Sequence, residues 1–407
     1  MNVRHYESGY TCELFLLLLT AGSIPYRYLR FYDANLETLR KLIRKFVKEG
    51  ILIRGKYSGT NEPSIMLCPE AQIPDEVYDT FGKAYFEYYR TYALPDRDRA
   101  IHRDGSRAEK NAEIIMMARA AGIPVFPDEK PAAEGKSSLA GCELFYSARE
   151  YKYLNTGDYQ ESMTKEVLKN EVKTGRVVNQ KMMGSRINGL FVSDADYSYA
   201  VYVVGKASMQ WSARGEKAAM RYANARLRER GRGIQEVTEA VFTYTGDKCL
   251  LKVFDPSVQW SGHLRASDST YEAMYFIPRS RIGTAMFAMM REKGWQERIN
   301  DLLISEDDRK RGKASSYECD GKDAEGRYLF SFCVPDMKKL YNFYKVMNSV
   351  IYNQNHSEVR FKIFCFDFQR EFLEQAFEKF DAHCELEENF FWVFRQNYYD
   401  EFSRAGA

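Results

Sequence analysis

The chain is poor in the residues that build metal and redox centres. It has only five histidines and eight cysteines in 407 residues. No two cysteines form a Cys-x-x-Cys pair, which argues against zinc ribbons and thioredoxin-like motifs. The histidines (His5, His102, His263, His356 and His383) show no metal-ligand spacing. Charge of one sign is also lacking. The net charge is +2, so contact with nucleic acid must come from a local patch and not from bulk charge. No apolar run approaches the ~18 residues of a membrane span. Residues 14–19 form a short apolar run, but Glu7 and Glu13 precede it and Arg27 and Arg30 follow. It is expected to be a buried helix and not a signal peptide. No phosphate loop, dinucleotide fingerprint or nucleophile elbow is present. These absences leave no catalytic residue, metal ligand, cofactor or membrane partner to assign. The expected location is cytoplasmic, with Cys333 and Cys365 as buried thiols in a reducing compartment.

What is present is apolar and aromatic. Apolar residues make up 45% of the chain and aromatics 14%, enough for sizeable cores. The length suggests two or three domains. The fold class expected is α/β or α+β.

Residues 1–70 read as one module. A short apolar helix over 11–21 stops at Gly22. A second short helix follows over 26–32, with Ser23 as a cap and Pro25 in its first turn. A third starts at Asp33 or Asn35 and ends at Gly50. In it Leu36, Leu39, Ile43, Phe46 and Val47 recur at three- and four-residue steps, so they share a face. Arg40, Lys41, Arg44, Lys45 and Lys48 lie opposite. Residues 51–54 and 64–67 read as strands around a polar turn, with Arg54 and Lys56 adding charge. Three helices and a hairpin is the order of a winged helix-turn-helix. Its third helix would enter the major groove of duplex DNA and its hairpin would form the wing. The seven cations are the candidate DNA-binding residues. The same face could simply be solvated, or the module could bind protein instead.

Residues 71–106 read as a helical connector. Residues 107–305 read as an α/β domain. An amphipathic helix over 108–121 buries Ile114, Ile115 and Met117 and stops at Gly122, followed by a short strand over 123–126. Further strands are expected over 143–147, 184–192 and 199–204, the last two as a hairpin. A basic helix is expected over 213–230, then strands over 239–245 and 250–254. This order resembles a restriction-endonuclease-like core. Such a core holds Mg²⁺ with strand carboxylates beside a lysine. Here the first acidic position falls near Asn188 and the second near Val204-Gly205-Lys206, so only the lysine is in place. Asp194 and Asp196 sit in the turn and read as turn formers. The domain therefore reads as a catalytically degenerate nuclease.

Residues 306–326 are charged and almost free of large apolar side chains, and they read as a linker or loop. Residues 327–407 then show strand, helix, strand, helix and strand, a βαβαβ unit. Asp336 and Asp367 are the expected helix caps.

Three stretches resemble the replication-relaxation family of plasmids and conjugative elements. They are the opening module, the helix over 107–122 leading into Ile123-Pro124-Val125-Phe126-Pro127, and Phe145-Tyr146-Ser147-Ala148-Arg149-Glu150 with the later Gly184-Ser185-Arg186. The resemblance covers about the first 230 residues. It implies DNA binding in replication, conjugation or DNA processing of a mobile genetic element, with a relaxase or replication initiator as possible partner. The alternatives are a metal-dependent nuclease and a winged-helix transcriptional repressor.

Overall fold

A computed structural model describes residues 10–31, 35–56, 63–68, 74–75, 105–126, 144–147, 185–193, 197–205, 209–229, 237–255, 262–315, 317–354, 356 and 358–389. The chain is mixed α and β and divides into two compact units. One comprises Met1–Val192 and Arg221–Ile234; the other comprises Ser193–Met220 and Gln235–Ala407. Packing thus groups the opening module with residues of the expected middle domain, and groups the C-terminal βαβαβ unit with the rest of that domain.

The first unit opens with helix α1 (Tyr10–Ala21), buried on nearly every side from Leu14 to Ala21. Strand β1 (Ile24–Pro25) comes next, then a 3-10 turn (Tyr26–Phe31) and helix α2 (Leu36–Lys48). Strands β2 (Leu52–Lys56) and β3 (Pro63–Leu67) pair antiparallel. β1 pairs antiparallel with the other edge of β3, giving the order β1-β3-β2. Ile24 and Pro25 are therefore strand residues and not the start of a helix. A two-residue strand is too short to leave a periodic trace in sequence.

Helix α3 (Gly105–Ala120) packs against α1, and strand β4 (Leu144–Ser147) pairs antiparallel with β5 (Gly189–Val192). Ile114, Ile115 and Met117 are buried as expected, but so are the polar Glu109, Asn111 and Glu113. α3 is thus enclosed on most sides and not amphipathic. Residues 123–126 are not a strand. Pro124 O accepts from Phe145 N at 3.0 Å.

The second unit begins with β6 (Ser198–Val203), followed by helix α4 (Ala213–Glu229), in which the division between units falls. β7 (Glu239–Tyr244), helix α5 (Asp247–Phe254) and β8 (Ala273–Pro278) come next. β6, β7 and β8 run parallel and are almost wholly buried, so each reads as a continuous apolar run. Residues 250–254 are helical, where a strand was expected. Cys249, Leu250, Val253 and Phe254 are buried at helical spacing, and Gly246 (φ 81°) turns the chain out of β7 before them.

Helices α6 (Arg281–Met289) and α7 (Trp295–Leu303) follow. Then comes α8 (Glu306–Lys313), where a loop was expected. Ser305 Oγ caps it by accepting from Asp308 N at 3.1 Å, and Lys310 pairs with Glu306 one turn away at 2.8 Å. Its charged side chains face solvent, and its one buried residue, Gly312, lets it pack closely on the chain that follows. Gly312 lies against Gly321 of the short strand β9 (Gly321–Lys322).

The C-terminal βαβαβ order is as expected. It comprises β10 (Tyr328–Ser331), α9 (Met337–Asn348), β11 (Phe361–Cys365), α10 (Arg370–Phe377) and β12 (Cys384–Glu388). β10, β11 and β12 are parallel, and β9 adds an antiparallel edge, in the order β12-β11-β10-β9. Phe330, Phe343, Phe361, Phe377 and Phe380 fill its helix-covered side.

Asp336 caps α9 by accepting from Lys338 N at 3.0 Å and Lys339 N at 3.4 Å. The same oxygen accepts from Met274 N of β8 at 3.1 Å, and Phe276 N donates to Pro335 O at 2.9 Å. One carboxylate thus joins the two sheets of this unit. Asp367 does not cap α10. A 3-10 turn (Asp367–Gln369) intervenes, and Gln369 satisfies the chain there by accepting from Phe366 N at 2.8 Å.

Candidate nucleic-acid interface

α2 is built as a two-faced helix. Asn35 caps it, its Oδ1 accepting from Glu37 N at 2.9 Å and Thr38 N at 3.3 Å. Gly50, at φ 72°, ends it in a conformation that costs an L side chain energy. Leu39, Ile43 and Phe46 are buried, and Phe46 meets the ring of Phe15 on α1 edge-on at 5.2 Å. That contact fixes which face of α2 looks outward.

Arg40, Lys41, Arg44, Lys45 and Lys48 are all exposed. At about 100° per residue, the buried trio spans about 60° of the helix circumference and the five cations about 140°, with centres about 160° apart. The fold therefore keeps the cations together on the solvent side. None of the five forms an ion pair among the described residues. Each is left to interact with an external anion. Lys45 keeps its ammonium 5.6 Å from the Phe46 ring centre, so its stem lies along the apolar face while its head stays wet.

Arg54 is exposed on β2, with its guanidinium 4.8 Å from the ring centre of Tyr26. The ring holds the cation without neutralising it. Lys56 ends β2; its side chain is outside what the structure describes. The structure thus gathers five of the seven expected residues on one helix face and places Arg54 and Lys56 on the adjoining strand. One exposed residue on that helix, Glu37, escapes a reading that searches only for cations.

The nuclease-like reading turns on other positions. Asn188, where a strand carboxylate would stand, is buried, and its Nδ2 donates to Asn111 Oδ1 at 2.8 Å. Asp194, Asp196 and Lys206 lie outside the described residues, as do Gly231–Gly233 and most of the tyrosine-rich connector. Among the described residues no three His, Cys, Asp or Glu side chains are grouped to hold a metal ion. Likewise, no described helix is long and apolar enough to cross a membrane.

The second unit also buries several polar groups. Tyr202 OH donates to Glu216 Oε2 at 2.9 Å and also meets the hydroxyl of Tyr271. Their rings pack with Trp211 and Phe242. Glu239, at the start of β7, has a buried Oε2 without a hydrogen-bond partner. Burial pushes its carboxyl up to about 7, helped by the charges of Asp336, Glu272 and Glu297, while a hydrogen bond from Tyr275 opposes the shift. Comparison of the chain with protein-family models, with curated proteins and with solved structures finds no match in any of the three.

Proposed function

We propose that the chain is a DNA-binding protein that docks on duplex DNA through α2, with the β2–β3 hairpin as the wing. The observation that carries this reading is the unpaired cationic face of α2 set opposite its core face. The sheet order β1-β3-β2 supports it, because it ties the helices and the hairpin together as a winged helix-turn-helix does. Phosphate contacts from such a face position a helix in the major groove. The resemblance to replication-relaxation proteins extends the reading to replication or DNA processing of a plasmid or conjugative element. The α/β body would then dock a relaxase or a replication initiator.

Arg44 and Lys45 changed together to alanine should weaken binding to a duplex severalfold or more. The slope of log affinity against log salt should flatten by about one to two, because each lost phosphate contact removes about one counterion from the exchange. Titration of full-length protein into labelled duplex at several salt concentrations reads both. Equal affinity and equal slope in a folded variant would refute the proposal.

Supercoiled plasmid incubated with the protein and Mg²⁺ or Mn²⁺ should remain supercoiled. Metal-dependent nicking that is lost when Asp194 or Asp196 becomes alanine would favour the nuclease reading instead.

A further inference from the structure

The cationic face of α2 contains one anion. Glu37 is exposed in the first turn, and at about 100° per residue it falls on the same ridge as Lys41, Arg44 and Lys48. These four step along the helix by four, three and four residues. They lie within about 60° of one another, around the direction that points straight away from Leu39, Ile43 and Phe46. Arg40 and Lys45 flank this ridge on either side. In a helix lying in a major groove, the outward ridge meets base edges and the flanks meet the two phosphate backbones. The first turn is the part that reaches base edges most directly.

A carboxylate at that position is repelled by the phosphates on both sides. It is tolerated there when a base presents a donor to it. In the major groove, cytosine N4 and adenine N6 are the donors; a carboxylate accepts from cytosine N4, while beside adenine N6 it meets the N7 acceptor, and guanine offers only acceptors. Building on the DNA-binding reading above, we infer that Glu37 is a specificity-determining residue that selects a C·G pair through cytosine N4, with Arg40 and Lys45 holding the backbones. A competing role is purely helical, since an acidic side chain in a first turn favours the N-terminus of its helix. That role involves no base.

The test is selection of full-length protein and its Glu37→Ala and Glu37→Gln variants against a pool of random duplexes at fixed salt, with a thermal melt of each. The wild type should select a motif with cytosine at one position, preferred by about tenfold over other bases. Glu37→Ala should lose preference at that position alone and bind random duplex more tightly, because a repelled charge is gone. Glu37→Gln should move the preference there toward adenine, which glutamine recognises through N6 and N7. A motif unchanged in both variants, with only the melting midpoint lowered, overturns this inference and leaves α2 as a DNA-binding helix. A wild type that binds no duplex at all overturns the inference together with the reading beneath it.

Discussion

A single methyl group added at Gly312 is expected to destabilise the second unit by up to about 2 kcal/mol, against the trend of helix propensity. Gly312 sits inside α8, where alanine is ordinarily favoured over glycine by about 1 kcal/mol. A Cβ at this position would lie 2.6 Å from Gly321 Cα and 2.9 Å from Gly321 C. Those are backbone atoms of β9, so no rotamer change relieves the contact. Helix and strand must separate, and overpacking of this kind costs about 1–3 kcal/mol. The steric cost exceeds the propensity gain. In a unit of about 200 residues the melting midpoint should drop by up to about 8 °C. Differential scanning calorimetry of Gly312→Ala decides the point; a midpoint equal to or above the wild type's shows that propensity prevails.

The second large effect depends on pH. The Glu239 carboxyl keeps its proton to about pH 7 in the folded chain, against an ordinary value of 4.5, chiefly because burial disfavours its charge. Between those values the folded state binds more protons than the unfolded state, so stability falls as pH rises. Below about 4.5 both states are protonated and the penalty is absent. Above about 7 it is fully present, at about 3 kcal/mol from the separation of the two values. Asp336 is shifted the same way, also by burial, so the wild type carries more than one such group. Glu239→Gln isolates the first. Its melting midpoint should hold nearly level from pH 5 to pH 8 relative to the wild type, whose midpoint should fall by several degrees more across that range. Parallel curves for the two proteins would show that Glu239 ionises freely in the folded state.

The opening module is legible in sequence because its determinants are local. Asn35 at the cap, Gly50 at the stop and the three- and four-residue steps of Leu39, Ile43 and Phe46 all act within one helix. The same holds for the C-terminal strands and helices, whose apolar runs and Asp336 mark each turn of the chain. The exposed cations on α2 follow from the same pattern, since locating the core face locates its opposite.

The misread segments depend on tertiary context. Residues 250–254 form an apolar run too short to show a period, and only the partners of Leu250, Val253 and Phe254 reveal the helix. α8 did carry a local marker, Ser305 three residues before Asp308, but its charge obscured it. Glu37 was hidden differently. Its meaning depends on which way α2 faces, and the Phe15–Phe46 contact sets that.

The bond from Met274 N to Asp336 bears on how the second unit comes apart. If the C-terminal sheet opened alone, β8 would be left with two amides, those of Met274 and Phe276, lacking their acceptors. Each of those losses costs about 1–2 kcal/mol, so partial opening is disfavoured. The two sheets therefore behave as one cooperative foldon, although each has its own strand order and its own aromatic interior.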